Sequence, residues 1–151
     1  MSDLPIEEFA LQKMRDCPQA VALGMETLSW EDDAATLRVR YKPELVGNPD
    51  TGVIAGGVVT TLLDHACGQA VMATLKTPTP IATLDLRIDY MRAAEPGLEI
   101  RARAHCYKLT RSIAFVRATA YDRSPDDPVA TAQAAFMLTG PAEAPPAEAS
   151  A

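Results

Sequence analysis

Residues 48–68 read NPDTGVIAGGVVTTLLDHACG: a polar loop, two adjacent glycines, and a long apolar run interrupted by one carboxylate. The pattern predicts a helix from about Gly56 to Leu75. Gly56 and Gly57 leave bare backbone N–H groups at the start of that helix. Asp64 lies about two turns further along, where a carboxylate is costly unless it has a partner or a function. This helix therefore supplies both the fold prediction and the first candidate site residues.

The composition predicts one soluble globular domain over residues 1–140 and a disordered tail over residues 141–151. The chain has 151 residues, of which 48% are hydrophobic and 23% charged, enough for a single core. The tail, PAEAPPAEASA, has too few apolar side chains to pack. The net charge of −6 argues against a nucleic-acid or anionic-membrane partner, since either would need a basic surface. No segment approaches the roughly 20 apolar residues of a membrane span.

The cysteines and the N-terminal segment predict a cytoplasmic protein without a metal site. Cys17, Cys67 and Cys106 are odd in number and widely spaced, which suits neither a disulfide framework nor zinc ligation. Residues 1–17 are acidic and amphipathic rather than basic and then apolar, unlike a secretory signal. We therefore expect free thiols in a reducing compartment, and no metal or bound cofactor.

Segments on either side of the central helix predict an antiparallel sheet. A short amphipathic helix is predicted over Ile6–Arg15, and a loop over Lys42–Gly52 because of its Pro, Gly and Asn content. Pro78 and Pro80 end the central helix. Six strands are predicted from apolar–polar alternation and from turn residues: Met25–Trp30, Ala35–Tyr41, Thr83–Tyr90, Leu98–Leu109, Ile113–Asp122 and Val129–Leu138.

Alternation in the later strands predicts which residues share a face of the sheet. Thr83 and Asp85 fall on one face with further charged residues, and Leu84 and Leu86 fall on the other, which predicts one buried face. The last three strands share a face of small side chains: Ala102, Ala104, Ala118, Ala120, Ala130, Ala132 and Ala134. Small side chains let the central helix approach, so we expect a sheet curled around one helix. Its exposed edges favour a dimer that joins two sheets edge to edge.

The order of strand, strand, loop, helix and four strands resembles the hot-dog fold, an α+β architecture in which an antiparallel sheet wraps around a long central helix. Asn48, Gly52, the Gly56-Gly57 pair and Asp64 resemble the N…G…HGG…D signature of the PaaI-like (phenylacetate-pathway type) acyl-CoA thioesterases. Other segments resemble further motifs of that family: Thr83-Leu84-Asp85, Tyr90-Met91-Arg92-Ala93 and Lys108–Ala114. The resemblance covers residues 25–139. It departs at Ala55, where a histidine is usual, and at the asparagine, which lies one residue further upstream than is common.

The resemblance implies an acyl-CoA thioesterase that hydrolyses a small or medium acyl- or aryl-CoA thioester without a metal or cofactor. Asp64 would act as general base or as nucleophile. The Gly56 N–H would bind the thioester oxygen, with Asn48 assisting, and Thr83 would orient the attacking water. The glycine donor and the acid would come from different subunits of a homodimer, or of a dimer of dimers.

Substrate binding is assigned to Gly57, Arg92 and Arg111. Gly57 is the second of the two glycines that leave a bare N–H group at the helix start. Each guanidinium could bind the nucleotide phosphates of coenzyme A in a bidentate way. An ordinary surface ion pair is the alternative for each arginine.

The sequence is also compatible with other roles for Asp64 and for the protein. Five residues of the central helix fall within one arc, at about 100° per residue: Thr60, Thr61, Asp64, His65 and Gly68. Asp64 could therefore lie on a solvated face. The protein could also be a non-catalytic hot-dog module that binds acyl-CoA or another apolar ligand, or a 3-hydroxyacyl thioester dehydratase. The dehydratase is disfavoured because His65 points about 100° away from Asp64. We expect His65 at a dimer contact or at the surface, and His105 exposed.

Overall fold

A computed structural model describes residues 5–139, and the tail predicted over residues 141–151 lies outside the described residues. The helices are α1 (Ile6–Asp16), α2 (Pro18–Leu23) and α3 (Gly56–Leu75). The strands are β1 (Met25–Trp30), β2 (Ala34–Val39), β3 (Val46–Asn48), β4 (Val53–Ile54), β5 (Ile81–Tyr90), β6 (Ile100–Leu109), β7 (Ile113–Tyr121) and β8 (Ala130–Leu138). Six strands form one antiparallel sheet in the order β1-β2-β6-β7-β8-β5. The sheet packs around α3, which confirms the predicted hot-dog arrangement.

The core lies between α3 and the small side chains of the sheet. Leu62, Leu63 and Ala66 of α3 are fully buried. The seven alanines predicted to face the helix are each at most 5% exposed. Their small volume allows the helix backbone to approach the sheet while the larger α3 side chains fill the space between them. The predicted helix-facing surface is therefore confirmed.

A β-bulge in β5 changes which residues face the helix. Thr83 pairs with Phe136 and Asp85 pairs with Ala135, so Leu84 is the extra residue. Leu84 is 50% exposed. The prediction that Thr83 shares a face with Asp85 is wrong, because the bulge shifts the alternation by one residue and turns Thr83 toward α3. Bulges commonly re-aim a side chain in this way.

Four short elements were not predicted: α2, a 3-10 turn at Pro43–Leu45, β3 and β4. Pro18 begins α2 directly after α1, because proline is tolerated at the first helical position while the residue before it is held extended. The segment predicted as a loop over Lys42–Gly52 contains a 3-10 turn and β3, which pairs with β4. A Cβ on Gly47 would lie 2.7 Å from the Ala55 Cα, so this small hairpin packs closely against the start of α3.

The sheet has two edges, β1 and β5. The β5 edge is ten residues long and carries exposed apolar side chains at Leu84 and Tyr90, with Met91 directly after it. A long edge of this kind offers unpaired backbone groups to another chain. No helix within residues 5–139 is long and apolar enough to cross a membrane.

Candidate active site

Asp64 lies on the face of α3 that is turned toward β5, in a cleft with a volume of about 220 Å³. The Thr83 hydroxyl donates a hydrogen bond to Asp64 Oδ1 at 2.9 Å. His65 and Gly68 also line the cleft. The Asp64 side chain is half-buried rather than bathed in solvent. The bulge in β5 therefore brings two of the predicted site residues, Asp64 and Thr83, into direct contact.

The start of α3 is open and has no side-chain cap. Ala55 precedes the helix and makes no side-chain capping bond. A Cβ on Gly57 would meet no atom within 4 Å. The first backbone N–H groups of the helix are orphan donors at the positive end of its dipole, an arrangement that binds a negatively charged oxygen. Gly56 borders a second cavity of about 370 Å³.

Tyr90 holds the first residue of the helix in place. Its hydroxyl donates to the Gly56 carbonyl oxygen at 2.9 Å and lies 2.6 Å from the Thr60 hydroxyl. The Thr60 hydroxyl also donates to the Gly56 carbonyl oxygen, at 3.2 Å. Neither periodicity nor motif spacing predicts this contact. Tyr90 belongs to a recognised motif, but its partner is 34 residues away along the chain.

The structure separates Gly56 from Asp64. Eight helical residues correspond to about 12 Å along the axis. A thioester carbonyl bound at the Gly56 N–H is thus out of reach of a water held by Asp64 of the same chain. Gly56 is hydrogen-bonded to Tyr90 at one end of β5, and Asp64 is hydrogen-bonded to Thr83 near the other end.

His65 is half-buried beside Asp64. Burial lowers the pKa of His65 below its ordinary value, and the negative charge of Asp64 opposes that shift. The imidazole is therefore neutral near pH 7. His105, in contrast, is exposed and lies 3.1 Å from Asp33, as expected for a surface residue.

Asn48 makes its contacts within its own loop. Its side-chain oxygen accepts a hydrogen bond from the Asp50 N–H at 3.0 Å, and its backbone oxygen accepts one from the Gly52 N–H at 2.8 Å. Asn48 is exposed and lines neither the Asp64 cleft nor the Gly56 cavity. The single chain thus does not bring Asn48 to the other predicted site residues.

The Arg92 side chain makes its contacts with other residues of the same chain. Its guanidinium donates to both carboxylate oxygens of Asp122, at 2.6 and 2.9 Å, and to the Asp127 backbone oxygen at 2.8 Å. The Asp122 side chain is only 1% exposed, and the Arg92 guanidinium holds the pKa of that carboxyl well below its usual range. Arg111 lies in the exposed turn between β6 and β7 and makes no ion pair within residues 5–139.

Neither the Cys67 thiol nor a metal-binding cluster adds a second site within the described part of the chain. Cys67 is fully buried, and burial raises the pKa of its thiol to about 12, which leaves it unsuited as a nucleophile. Within residues 5–139, no cluster of three or more His, Cys, Asp or Glu side chains could hold a metal ion.

A family model for the thioesterase superfamily matches residues 51–129 of the chain. The medium/long-chain acyl-CoA thioesterase YigI of Escherichia coli is 27% identical over 130 residues, which cover 78% of this chain and 83% of YigI. A candidate esterase of Halobacterium salinarum is 35% identical over 79 residues. That match covers 50% of this chain, and the chain spans about half of that relative, 52% of its length.

Solved structures show the same architecture. A crystal structure of a Pseudomonas aeruginosa protein is 36% identical, with a TM-score of 0.81 over 89% of this chain and 100% of that chain. The E. coli PaaI protein from the phenylacetic acid degradation operon is 17% identical, with a TM-score of 0.79 over 89% of this chain and 94% of that chain. At that identity the likeness to PaaI concerns the fold alone.

Proposed function

The chain belongs to the thioesterase superfamily, and we propose that it hydrolyses an acyl-CoA thioester to a free acid and coenzyme A in a site shared by two copies of the chain. The observation that carries the proposal is the Asp64–Thr83 hydrogen bond in a cleft beside β5, an edge strand of the sheet. It holds a carboxylate where a water molecule can reach it. The acyl-CoA activity of YigI supports the substrate class.

The edge strand explains how two chains would complete one site. Antiparallel pairing of two β5 strands around a twofold axis places the beginning of one strand opposite the end of the other. Thr83, with Asp64 attached, would then face Tyr90 of the partner subunit, with that chain's Gly56 attached. Both α3 helices stay on the same side of the joined sheet when the axis is perpendicular to it. Asp64 and Gly56 lie near opposite ends of β5 within one chain. Antiparallel pairing would therefore bring Asp64 of one chain close to Gly56 of the partner subunit.

The chemistry needs a polarised carbonyl and an activated water. The Gly56 N–H would donate to the thioester oxygen and stabilise the negative charge that develops there. Asp64, held by Thr83, would accept a proton from water as the water oxygen attacks the carbonyl carbon. The C–S bond then breaks, and the coenzyme A thiolate takes up the proton. Direct attack by Asp64, through an anhydride that water hydrolyses, is the alternative route.

The remaining predicted residues take lesser roles in this proposal. Gly57 leaves open space for the substrate at the helix start. Arg111 is an exposed cation available to the coenzyme A phosphates. Arg92 is already paired with Asp122, so we assign it to the fold instead. Asn48 would assist at the thioester oxygen after leaving its contact with Asp50.

The proposal is tested by Asp64→Asn, with Asp126→Asn in the exposed turn before β8 as the matched control. Thiol release from a panel of acyl- and aryl-CoA thioesters should fall at least a hundredfold in Asp64→Asn and stay at the wild-type rate in the control. Binding of coenzyme A thioethers, which cannot be hydrolysed, should persist in both variants. Wild-type protein that binds these ligands without hydrolysing any thioester would instead be a ligand-binding module.

A further inference from the structure

A larger apolar cavity adjoins the Asp64 cleft. Its volume is about 670 Å³, which is within the range of small-molecule sites. Lys13, Met72 and Ile81 line both spaces, so the two lie side by side. The two spaces taken together, called here the chain groove, extend from Asp64 to the Thr79-Pro80 segment after α3.

One face of α3 forms the floor of the chain groove. Asp64, Gly68 and Met72 are spaced four residues apart and therefore lie in a row along the helix. The row extends about 12 Å from Asp64 to Met72. Helix α1 forms the outer wall, where Phe9 and Lys13 line the cavity and the Lys13 ammonium lies 5.5 Å from the centre of the Phe9 ring.

Gly68 keeps the floor of the chain groove open. A glycine in a helix interior destabilises the helix relative to alanine. Close packing does not require it, because a Cβ at this position would lie 3.7 Å from Ile81 Cδ1 and 3.8 Å from Phe136 Cε1, both ordinary contacts. The space left by the missing side chain belongs to the cleft beside Asp64.

We propose that the chain groove binds the acyl chain of the substrate, and that this chain is a hydrocarbon about ten carbons long. The proposal rests on the proposed function, because the groove begins at the carboxylate assigned to water activation. An extended chain of single bonds advances about 1.2 Å per bond, so about 12 Å between Asp64 and Met72 accommodates about ten carbons. The apolar lining by Phe9, Met72 and Ile81 selects hydrocarbon over a polar or charged chain.

Binding of S-alkyl coenzyme A thioethers tests the proposal without depending on hydrolysis. Titration calorimetry on the wild-type protein would cover alkyl chains from two to sixteen carbons. Affinity should rise about two- to fourfold for each added methylene group and should level off near ten carbons. Affinity that is independent of chain length would overturn the proposal and would mean that another part of the protein, or a second copy, covers the groove.

A variant that fills the larger cavity, which Thr79 and Met72 both line, locates the bound chain. Thr79→Trp should lower the affinity for the decyl thioether at least tenfold and change that for the ethyl thioether less than twofold. Asp126→Trp, in the exposed turn before β8, is the matched control and should bind both ligands as the wild type does. Equal binding of the decyl thioether by Thr79→Trp and by the control would overturn the proposal.

Gly68→Leu provides a second block, placed next to Asp64. It should shift the plateau in affinity to shorter chains, while circular dichroism shows that the fold is retained. If Gly68→Leu fails to fold, the Thr79→Trp result decides alone. Chain-length-dependent binding in a protein that hydrolyses no thioester would overturn the proposed function and leave the groove assignment standing.

Discussion

The Thr83 hydroxyl and the Asp64 carboxylate lie 2.9 Å apart and join the edge strand of the sheet to the central helix. The contact exists because Leu84 bulges out of β5 and turns Thr83 inward. A carboxylate that accepts this bond has one oxygen oriented and the other free to contact water. The bond therefore positions the group that we propose to activate water.

Removing the Thr83 hydroxyl should slow hydrolysis without unfolding the protein. Thr83→Val keeps the β-branched shape and deletes one hydrogen bond to a charged group, so kcat/KM should fall about tenfold or more. Thr83→Ser should restore most of the rate. Thr131→Val in β8 provides the control, since it makes the same change outside the cleft. Wild-type kinetics in Thr83→Val would show that the bond has no part in the reaction.

Gly56→Pro deletes the proposed oxyanion donor with little disturbance of the fold. Gly56 is the first residue of α3, where proline is tolerated. Ala55 already has the extended conformation, with ψ of 136°, that a residue before proline adopts. The kcat should fall about a hundredfold or more. Gly56→Ala keeps the N–H, and its rate should stay close to that of the wild type, because the added Cβ meets Tyr90 only at 3.8 Å.

Arg92 should matter for stability, and Arg111 for substrate binding. Arg92→Ala leaves the buried Asp122 carboxylate without its cation, which should cost about 2 kcal/mol in the free energy of unfolding. Arg111→Ala should leave that free energy within about 0.5 kcal/mol of the wild type and raise KM for acyl-CoA severalfold. Urea unfolding and steady-state kinetics measure the two effects. The reverse pattern would assign Arg92 to the phosphates.

His65 should make the protein less stable in mild acid. Burial lowers the pKa of folded His65 below that of the unfolded chain, so the folded state favours the neutral imidazole. The resulting stability is fully present above the unfolded pKa of about 6.5 and is lost as the pH falls through the folded value. Thermal unfolding between pH 7.5 and pH 5 should therefore show a smaller decrease in Tm for His65→Gln than for the wild type. His105→Gln, a change of an exposed histidine, should retain the wild-type decrease.

Sequence reasoning predicted the central helix and its packing surface well. Gly56 marks the beginning of α3, and the prolines that follow Leu75 mark its end. The helix-facing alanines are recognisable because they occupy alternate positions in the last three strands. The bulge at Leu84 was not predictable from the apolar–polar alternation. An apolar residue at this position is compatible with a regular strand and with a bulged one, and the pairing with β8 decides between the two. The Tyr90–Gly56 bond depends on the same long-range assembly of strand and helix.

The central claim is that Asp64 of one chain works with Gly56 of another. Co-refolding of Asp64→Asn with Gly56→Pro tests it, since each variant alone should be almost inactive. In a mixed twofold dimer one site carries both changes and the other carries neither. An equimolar random mixture should therefore recover about a quarter of the wild-type activity. A mixture that stays as inactive as its two components would contradict a site built from two chains.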